Sequence, residues 1–164
     1  MEKNAFGTKE VAVIRYFGDF SDDLSPLDFI FNVLDDRNVI VAKTILDNPK
    51  NHRYVDLYSM VIGLNRNGKA YGPYRKISSK IEFGEFLRSR GFNITTVTYE
   101  EQSKLATDFL NIGNGTIVTG FNEVSFVSRI KAIGVKVKYL NMSELFWDNV
   151  GVHAITQVVS RQKI

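Results

Sequence analysis

The sequence contains no cysteine and only two histidines, His52 and His153. The absence of cysteine excludes disulfide bonds, a thiolate nucleophile and any zinc or iron–sulfur site built on cysteine ligands. Two histidines are too few for a histidine-rich metal centre. We therefore expect neither a metal ion nor another cofactor.

Long apolar runs and a concentrated charge of one sign are also absent. No segment approaches the roughly 18 apolar residues of a transmembrane helix, and residues 1–4 show no hydrophobic secretory core. The net charge is only +3, and its lysines and arginines are scattered along the chain, unlike the basic face of a nucleic-acid-binding protein. We predict a cytoplasmic protein that binds neither membrane nor nucleic acid.

What is present is an ordinary globular composition. Apolar residues make up 44% and charged residues 24% of the 164 residues, as in one soluble domain, which we place at residues 1–164. Period-two and β-branched runs predict strands at residues 11–16, 92–97, 108–112, 116–119, 135–140 and 152–159. Helical spacing predicts helices at residues 78–90, 99–106 and 122–133. The fold class is therefore α/β.

Two hairpins are predicted earlier in the chain. Residues 27–34 and 39–45 are apolar runs separated by a polar turn. Residues 54–64 lead into Asn67-Gly68, and this dipeptide favours a tight turn to a partner strand at residues 69–74.

An internal repeat is visible. Residues 86–94 parallel residues 129–137, since each segment is a helix end, a glycine stop and a strand, and each follows a hairpin with an Asn-Gly turn. Residues 25–45 look like a shortened copy without the helix. A β-β-α-β unit of this size cannot bury its faces alone, so we expect several to pack together.

Residues 100–161 resemble the C-terminal part of the guanidino-group-modifying enzymes, which include arginine deiminases, agmatine deiminases, dimethylargininases and amidinotransferases. Residues 100–102 (EEQ) and 108–113 (DFLNIG) are similar to the family's E-E-A and N-x-L-x-x-G. Residues 143–145 (SEL) match its S-E-L, and residues 151–157 (GVHAITQ) resemble G-x-H-C-x-T-Q, followed by Arg161.

The resemblance implies the pentein fold, a propeller of five β-β-α-β repeats. This chain is one repeat short, and we expect strand 152–159 to be completed by strand 11–16. Either the ring is contracted, or another chain completes it, or the chain is a fragment.

The resemblance also implies where the chemistry would lie. In the family pattern the residue after the last histidine is a cysteine, whose thiolate attacks the guanidinium carbon. Here that nucleophile position is Ala154, next to His153. A methyl group cannot attack, and the chain has no other cysteine.

The remaining family positions fall earlier in the chain. Residues 52–60 resemble H-x-D-x-x-x-S-M, with Asp56 on the aspartate. Either His52 or Tyr54 then takes the histidine position, because the spacing does not fit both. Asp28 is the candidate for the guanidinium-binding aspartate of R-D-x-x-F, although Leu27 replaces the arginine. The repeat that brings another guanidinium-binding glutamate is not found.

The residues alone allow plainer alternatives. His153 on an apolar strand fits a core histidine, and His52 in a polar connection fits a surface residue. Asp56 inside an apolar strand is costly unless paired, so it is either a site carboxylate or a buried partner for an arginine. Ala154 fits a small residue on a buried strand.

Three functions remain open. The first is a family homologue without the nucleophile that binds arginine or a related guanidinium compound through Asp28 and Asp56. The second is a Cys-to-Ala variant of an active amidine hydrolase or amidinotransferase. The third is a structural or protein-interaction module, which pairs with a second copy or a partner subunit at an exposed sheet edge.

Overall fold

A computed structural model of the protein describes residues 8–16, 26–61, 63–64, 70–143 and 151–156. The strands are β1 (Glu10–Tyr16), β2 (Phe31–Val33), β3 (Asn38–Ala42), β4 (Arg53–Met60), β5 (Gly63–Leu64), β6 (Ala70–Tyr71), β7 (Tyr74–Glu82), β8 (Asn93–Val97), β9 (Phe109–Gly113), β10 (Thr116–Thr119) and β11 (Lys136–Tyr139). The helices are α1 (Leu27–Ile30), α2 (Lys43–Asp47), α3 (Phe83–Ser89), α4 (Tyr99–Ser103) and α5 (Val124–Ala132), with a 3₁₀ turn at Pro49–Asn51. The fold is mixed α/β, as predicted. Among the described residues, no helix has the length and apolar character to cross a membrane.

Two of the sheets have the same β-β-α-β topology. In the first, β2 and β3 form an antiparallel hairpin and β8 joins β3 in parallel, after helix α3. In the second, β9 and β10 form the hairpin and β11 joins β10 in parallel, after α5. The parallel strand follows the helix in both units, which is the connection that parallel pairing requires.

This pairing corrects the predicted repeat. The hairpin that belongs to α3 and β8 is β2–β3. The described part of the predicted shortened copy, residues 26–45, is therefore the first part of that unit and not a separate repeat. Strands β4 to β7 are inserted between β3 and α3. The predicted Asn67-Gly68 turn lies outside the described residues.

The insertion forms its own sheet. Strand β4 is central, with β1 antiparallel on one side and β7 antiparallel on the other. Strand β1 pairs along its full length with β4. The predicted pairing of β1 with strand 152–159 is wrong for residues 152–155, which form turns instead of a strand.

Aromatic and β-branched side chains fill the core. Phe83, Phe109 and Phe126 are fully buried, one from each of α3, β9 and α5. Helix α5 buries Phe126 and Ile130, which are four residues apart and lie on one face. The two units and the inserted sheet therefore share one hydrophobic core.

Two further predictions are wrong in their details. Strand β7 runs through Ser78 and Ser79 to Glu82, and α3 begins only at Phe83, with the Glu82 carboxylate accepting from the backbone N–H groups of Gly84 and Glu85. Residues 152–155 form turns instead of a strand, and residues 157–159 of that predicted strand lie outside the described residues.

Candidate functional site

Asp108 holds the loop 151–154, which carries His153 and Ala154. The carboxylate lies immediately before β9 and is 1% exposed. One oxygen accepts from the backbone N–H of His153 at 2.6 Å and of Ala154 at 3.3 Å. The other oxygen accepts from the backbone N–H of Gly151 at 3.2 Å. Three amides of one loop thus converge on one buried carboxylate.

The surroundings of Asp108 set its charge state. Burial raises its pKa above the ordinary value, and the negative charge of Asp28 raises it further, whereas the three loop N–H groups lower it. The net direction is upward. Asp28 lies on α1, which leads into β2, and Asn32 of β2 contacts the carbonyl oxygens of Thr107 and Phe109 on either side of Asp108.

Two asparagines fix the strands that carry this site. The side-chain amide of Asn32 on β2 donates to the carbonyl oxygens of Thr107 and Phe109, at 2.9 and 2.8 Å. The side-chain amide of Asn111 on β9 donates back to the carbonyl oxygens of Val33 and Leu34, at 3.1 and 3.0 Å. This reciprocal clasp joins the two units on either side of Asp108. It also holds α1, which leads directly into β2, at a fixed place relative to β9.

The segment between the two units is held by a second carboxylate. Glu101 is 5% exposed and forms a capping box with Thr98 at the start of α4. Its two oxygens each lie 2.9 Å from Nη2 of Arg129 on α5. The adjacent Gln102 accepts from the hydroxyl of Thr44 at 3.2 Å. The sequence Glu100-Glu101-Gln102 therefore has a structural role in this chain.

Asp56 sits in the inserted sheet and its charge is already balanced. One carboxylate oxygen lies 2.7 Å from Nη1 of Arg15 and 2.7 Å from Nζ of Lys76. The other oxygen accepts from the backbone N–H of Lys80, a residue with φ of 56°. Hydrogen bonds from Lys76 and Arg15 hold the pKa of this carboxyl far below its usual range. The alternative of a buried partner for an arginine is the one this geometry supports.

The two histidines differ in their surroundings. His52 follows the 3₁₀ turn, is half-buried, and its ring meets Tyr54 edge-to-face at 6.4 Å between ring centroids. His153 and Ala154 are exposed in a turn. The alternatives of a core histidine at 153 and of a buried strand residue at 154 are therefore both wrong. The structure places His153 and Ala154 on the loop that Asp108 holds, and Asp28 on helix α1. His52 lies in the turn before strand β4, and Asp56 lies within β4.

A cavity of about 290 Å³ lies elsewhere, between β1 and α1. Its lining includes Ile14, Arg15, Leu27 and Arg53. Arg53 is buried and stacks over the ring of Tyr16, 4.0 Å from its centroid. Among the described residues, this lining contains neither a histidine nor a carboxylate.

Asp108 was missed by sequence reasoning as a site residue. The only sequence signal is a carboxylate directly before an apolar strand, where an unpaired charge is costly. The loop whose three N–H groups stabilise this buried carboxylate lies more than forty positions later in the chain.

The arrangement has a definite chemical capacity. The Asp28 carboxylate offers oxygen acceptors to a planar cation with several N–H donors, such as a guanidinium group. Both oxygens of Asp108 already accept from the loop amides. The methyl group of Ala154 offers no nucleophile.

Comparison with known proteins gives the family. A model of the arginine deiminase family matches residues 7–161. An arginine deiminase of Halobacterium salinarum is 29% identical over 131 residues, which cover 67% of this chain and 25% of that relative. The chain thus spans about a quarter of the relative it matches. Because the family model matches almost the whole sequence, the chain belongs to the arginine deiminase family.

Proposed function

We propose that this chain is a guanidino-modifying-enzyme homologue that binds a guanidinium ligand without turning it over. Arginine or a related compound would pair with Asp28, beside Asp108 and next to the loop that carries His153 and Ala154. The observation that carries the proposal is the convergence of three loop amides on Asp108, a carboxyl whose pKa is raised by burial and by the negative charge of Asp28. We also propose that the two β-β-α-β units are adjacent blades of a propeller.

Charge is the physical reason for preferring a cation. The negative charge of Asp28 raises the pKa of Asp108, and a cation bound at Asp28 would relieve that repulsion. A guanidinium group does so with several donors in one plane, which a carboxylate accepts in pairs. Asp56 is left out of the proposed site, because Arg15 and Lys76 already occupy one of its oxygens.

The absence of turnover follows from position 154. With cysteine there, a thiolate would bond to the guanidinium carbon and ammonia would leave with a proton. Water would then displace the sulfur to give a ureido product and return the thiol. Alanine offers no electron pair for the first step.

A paired assay tests this proposal. Wild type and Ala154→Cys are incubated with arginine, agmatine and methylarginines, binding is followed by calorimetry, and ureido product is followed by a colour assay. Ala132→Cys, an exposed position on α5, controls for the mere presence of a thiol. We expect ligand binding without product in the wild type. Product from Ala154→Cys alone would show that the site retains everything but the thiol, which is the expectation for a Cys-to-Ala variant of an active enzyme.

Absence of binding in all three proteins would contradict the proposal. It would favour the interaction module, for which the expected partner is a second copy or another subunit. Sedimentation analysis of the purified chain measures that directly, because a self-associating module changes its mass with concentration.

A further inference from the structure

We propose that Asp108 is the positioning residue of this site, and that it couples the order of the loop 151–154 to the charge held at Asp28. Asp108 presents position 154 through backbone contacts and does not itself touch the reacting atoms. The part of the proposal that concerns bound ligand rests on the proposed function. The part that concerns the loop does not.

The geometry of the loop depends on this one side chain. Gly151, His153 and Ala154 each direct a backbone N–H at the Asp108 carboxylate, at 3.2, 2.6 and 3.3 Å. Gly151 itself is buried against it, because a Cβ at position 151 would come within 2.6 Å of the Asp108 Cβ. Three charge-assisted hydrogen bonds to one buried carboxylate fix both the position and the orientation of the loop.

The groups that face Asp108 explain the coupling. From α1 comes the charge of Asp28, and from the loop come the three N–H dipoles, with His153 exposed. From β2 the neutral amide of Asn32 donates to the carbonyl oxygens of Thr107 and Phe109, the residues on either side of Asp108. Asp28 is therefore the charged group that opposes ionisation of Asp108, together with burial.

A cation at Asp28 would remove that opposition. Ionised Asp108 accepts from all three loop amides, whereas a proton on one of its oxygens competes with the loop for that oxygen. Binding a guanidinium group should thus lower the pKa of Asp108 and tighten the loop, and a tight loop should favour binding in return. The same linkage predicts that ligand affinity falls as the pH drops through the pKa of Asp108.

The first test uses the protein without ligand. Backbone amide resonances of residues 151, 153 and 154 are followed by ¹H–¹⁵N NMR from neutral pH downward. We expect the three to shift together, with a common midpoint above the ordinary 3.8 of an aspartate. Asp28→Asn should move that midpoint downward, and Asp108→Asn should abolish the shared titration. Three amides that titrate separately, or that still titrate together in Asp108→Asn, would overturn the proposal.

Asp35→Asn is the matched control. Asp35 also accepts from two backbone N–H groups, those of Arg37 and Asn38, but in the β2–β3 turn. It should leave the loop titration unchanged. If Asp108→Asn fails to fold, the wild-type titration and its displacement by Asp28→Asn still decide the question.

The second test adds agmatine. We expect it to lower the common midpoint of the three amides in the wild type and to leave it unchanged in Asp28→Asn. Agmatine that binds by calorimetry but leaves the midpoint in place would overturn the coupling and spare the proposed function. No binding at all, with the ligand-free titration as expected, would overturn the proposed function and leave Asp108 as the positioning residue.

Discussion

Gly151 packs directly on Asp108, so closely that a Cβ at position 151 would lie 2.6 Å from the Asp108 Cβ. Gly151→Ala should therefore displace the loop or the carboxylate. We expect it to lower the free energy of unfolding by about 1–3 kcal/mol, as overpacking of a buried position does. Urea denaturation measures this loss.

Gly91→Ala provides the comparison for this change. Gly91 has φ of +79° and open space around the position of a Cβ, so alanine there costs left-handed backbone strain of about 1 kcal/mol without a collision. Both variants should lose stability, but only Gly151→Ala should perturb the amide resonances of His153 and Ala154. Equal spectra for the two variants would contradict the packing argument.

The acid dependence of stability should reflect Asp56. Its pKa is depressed in the folded protein by Lys76 and Arg15, so its contribution is present above the unfolded value of 3.8 and is lost as the pH falls through the folded pKa. We expect Asp56→Asn to be less stable than wild type at pH 7 and to lose less stability below pH 4. Urea midpoints across this range measure both effects.

Asp47→Asn is the control for that experiment. Asp47 pairs with Lys43 at 3.7 Å on the surface of α2, with both side chains well exposed, and such pairs contribute little. Its acid profile should match wild type. A wild-type profile for Asp56→Asn as well would show that the ion cluster in the inserted sheet does not stabilise the fold.

The reciprocal asparagine clasp should show coupling between its two halves. Asn32→Ala or Asn111→Ala leaves two carbonyl oxygens without their side-chain donor, and each change should cost about 1–3 kcal/mol. Because the two halves of the clasp join the same pair of strands, the double variant should lose less stability than the sum of the single losses. Asn93→Ala, which removes only an exposed contact to Asn38, should stay within about 0.5 kcal/mol of wild type. Additive losses of stability would show that the two halves of the clasp act independently.

Arg129 should stabilise the segment between the two units. Arg129→Met removes the cation that contacts both oxygens of buried Glu101. Because the arginine side chain is 41% exposed, screening limits the loss to about 1 kcal/mol. Arg129→Lys should recover part of it, since it restores a positive charge on a shorter side chain with a different donor geometry. Thermal melts of the three proteins test this, and identical melting temperatures would contradict it.

Local backbone chemistry made some of this structure predictable. The Asn114-Gly115 turn was expected from the dipeptide alone, and both residues have positive φ, 51° and 61°. Strand β10 was predicted at its observed bounds. These features depend on neighbours in the sequence.

Other features depend on distant pairing and were beyond sequence reasoning. The first residues of the predicted helix 78–90 belong to strand β7 instead. Ile81 and Glu82 pair there with Val55 and Tyr54 of β4. The roles of Asp108 and Glu101 likewise depend on loop amides and on an arginine from other elements. Residue types told us which groups are costly to bury, but not which partners would meet them.

Calorimetry of agmatine and arginine with wild type and Asp28→Asn tests the central claim most directly. Citrulline is the control ligand, because it has the same size as arginine with an uncharged ureido group. We expect wild type to bind a guanidinium ligand, citrulline to bind at least tenfold more weakly, and Asp28→Asn to lose about tenfold or more in affinity. Equal affinity for citrulline, or unchanged binding in Asp28→Asn, would contradict a guanidinium site at Asp28.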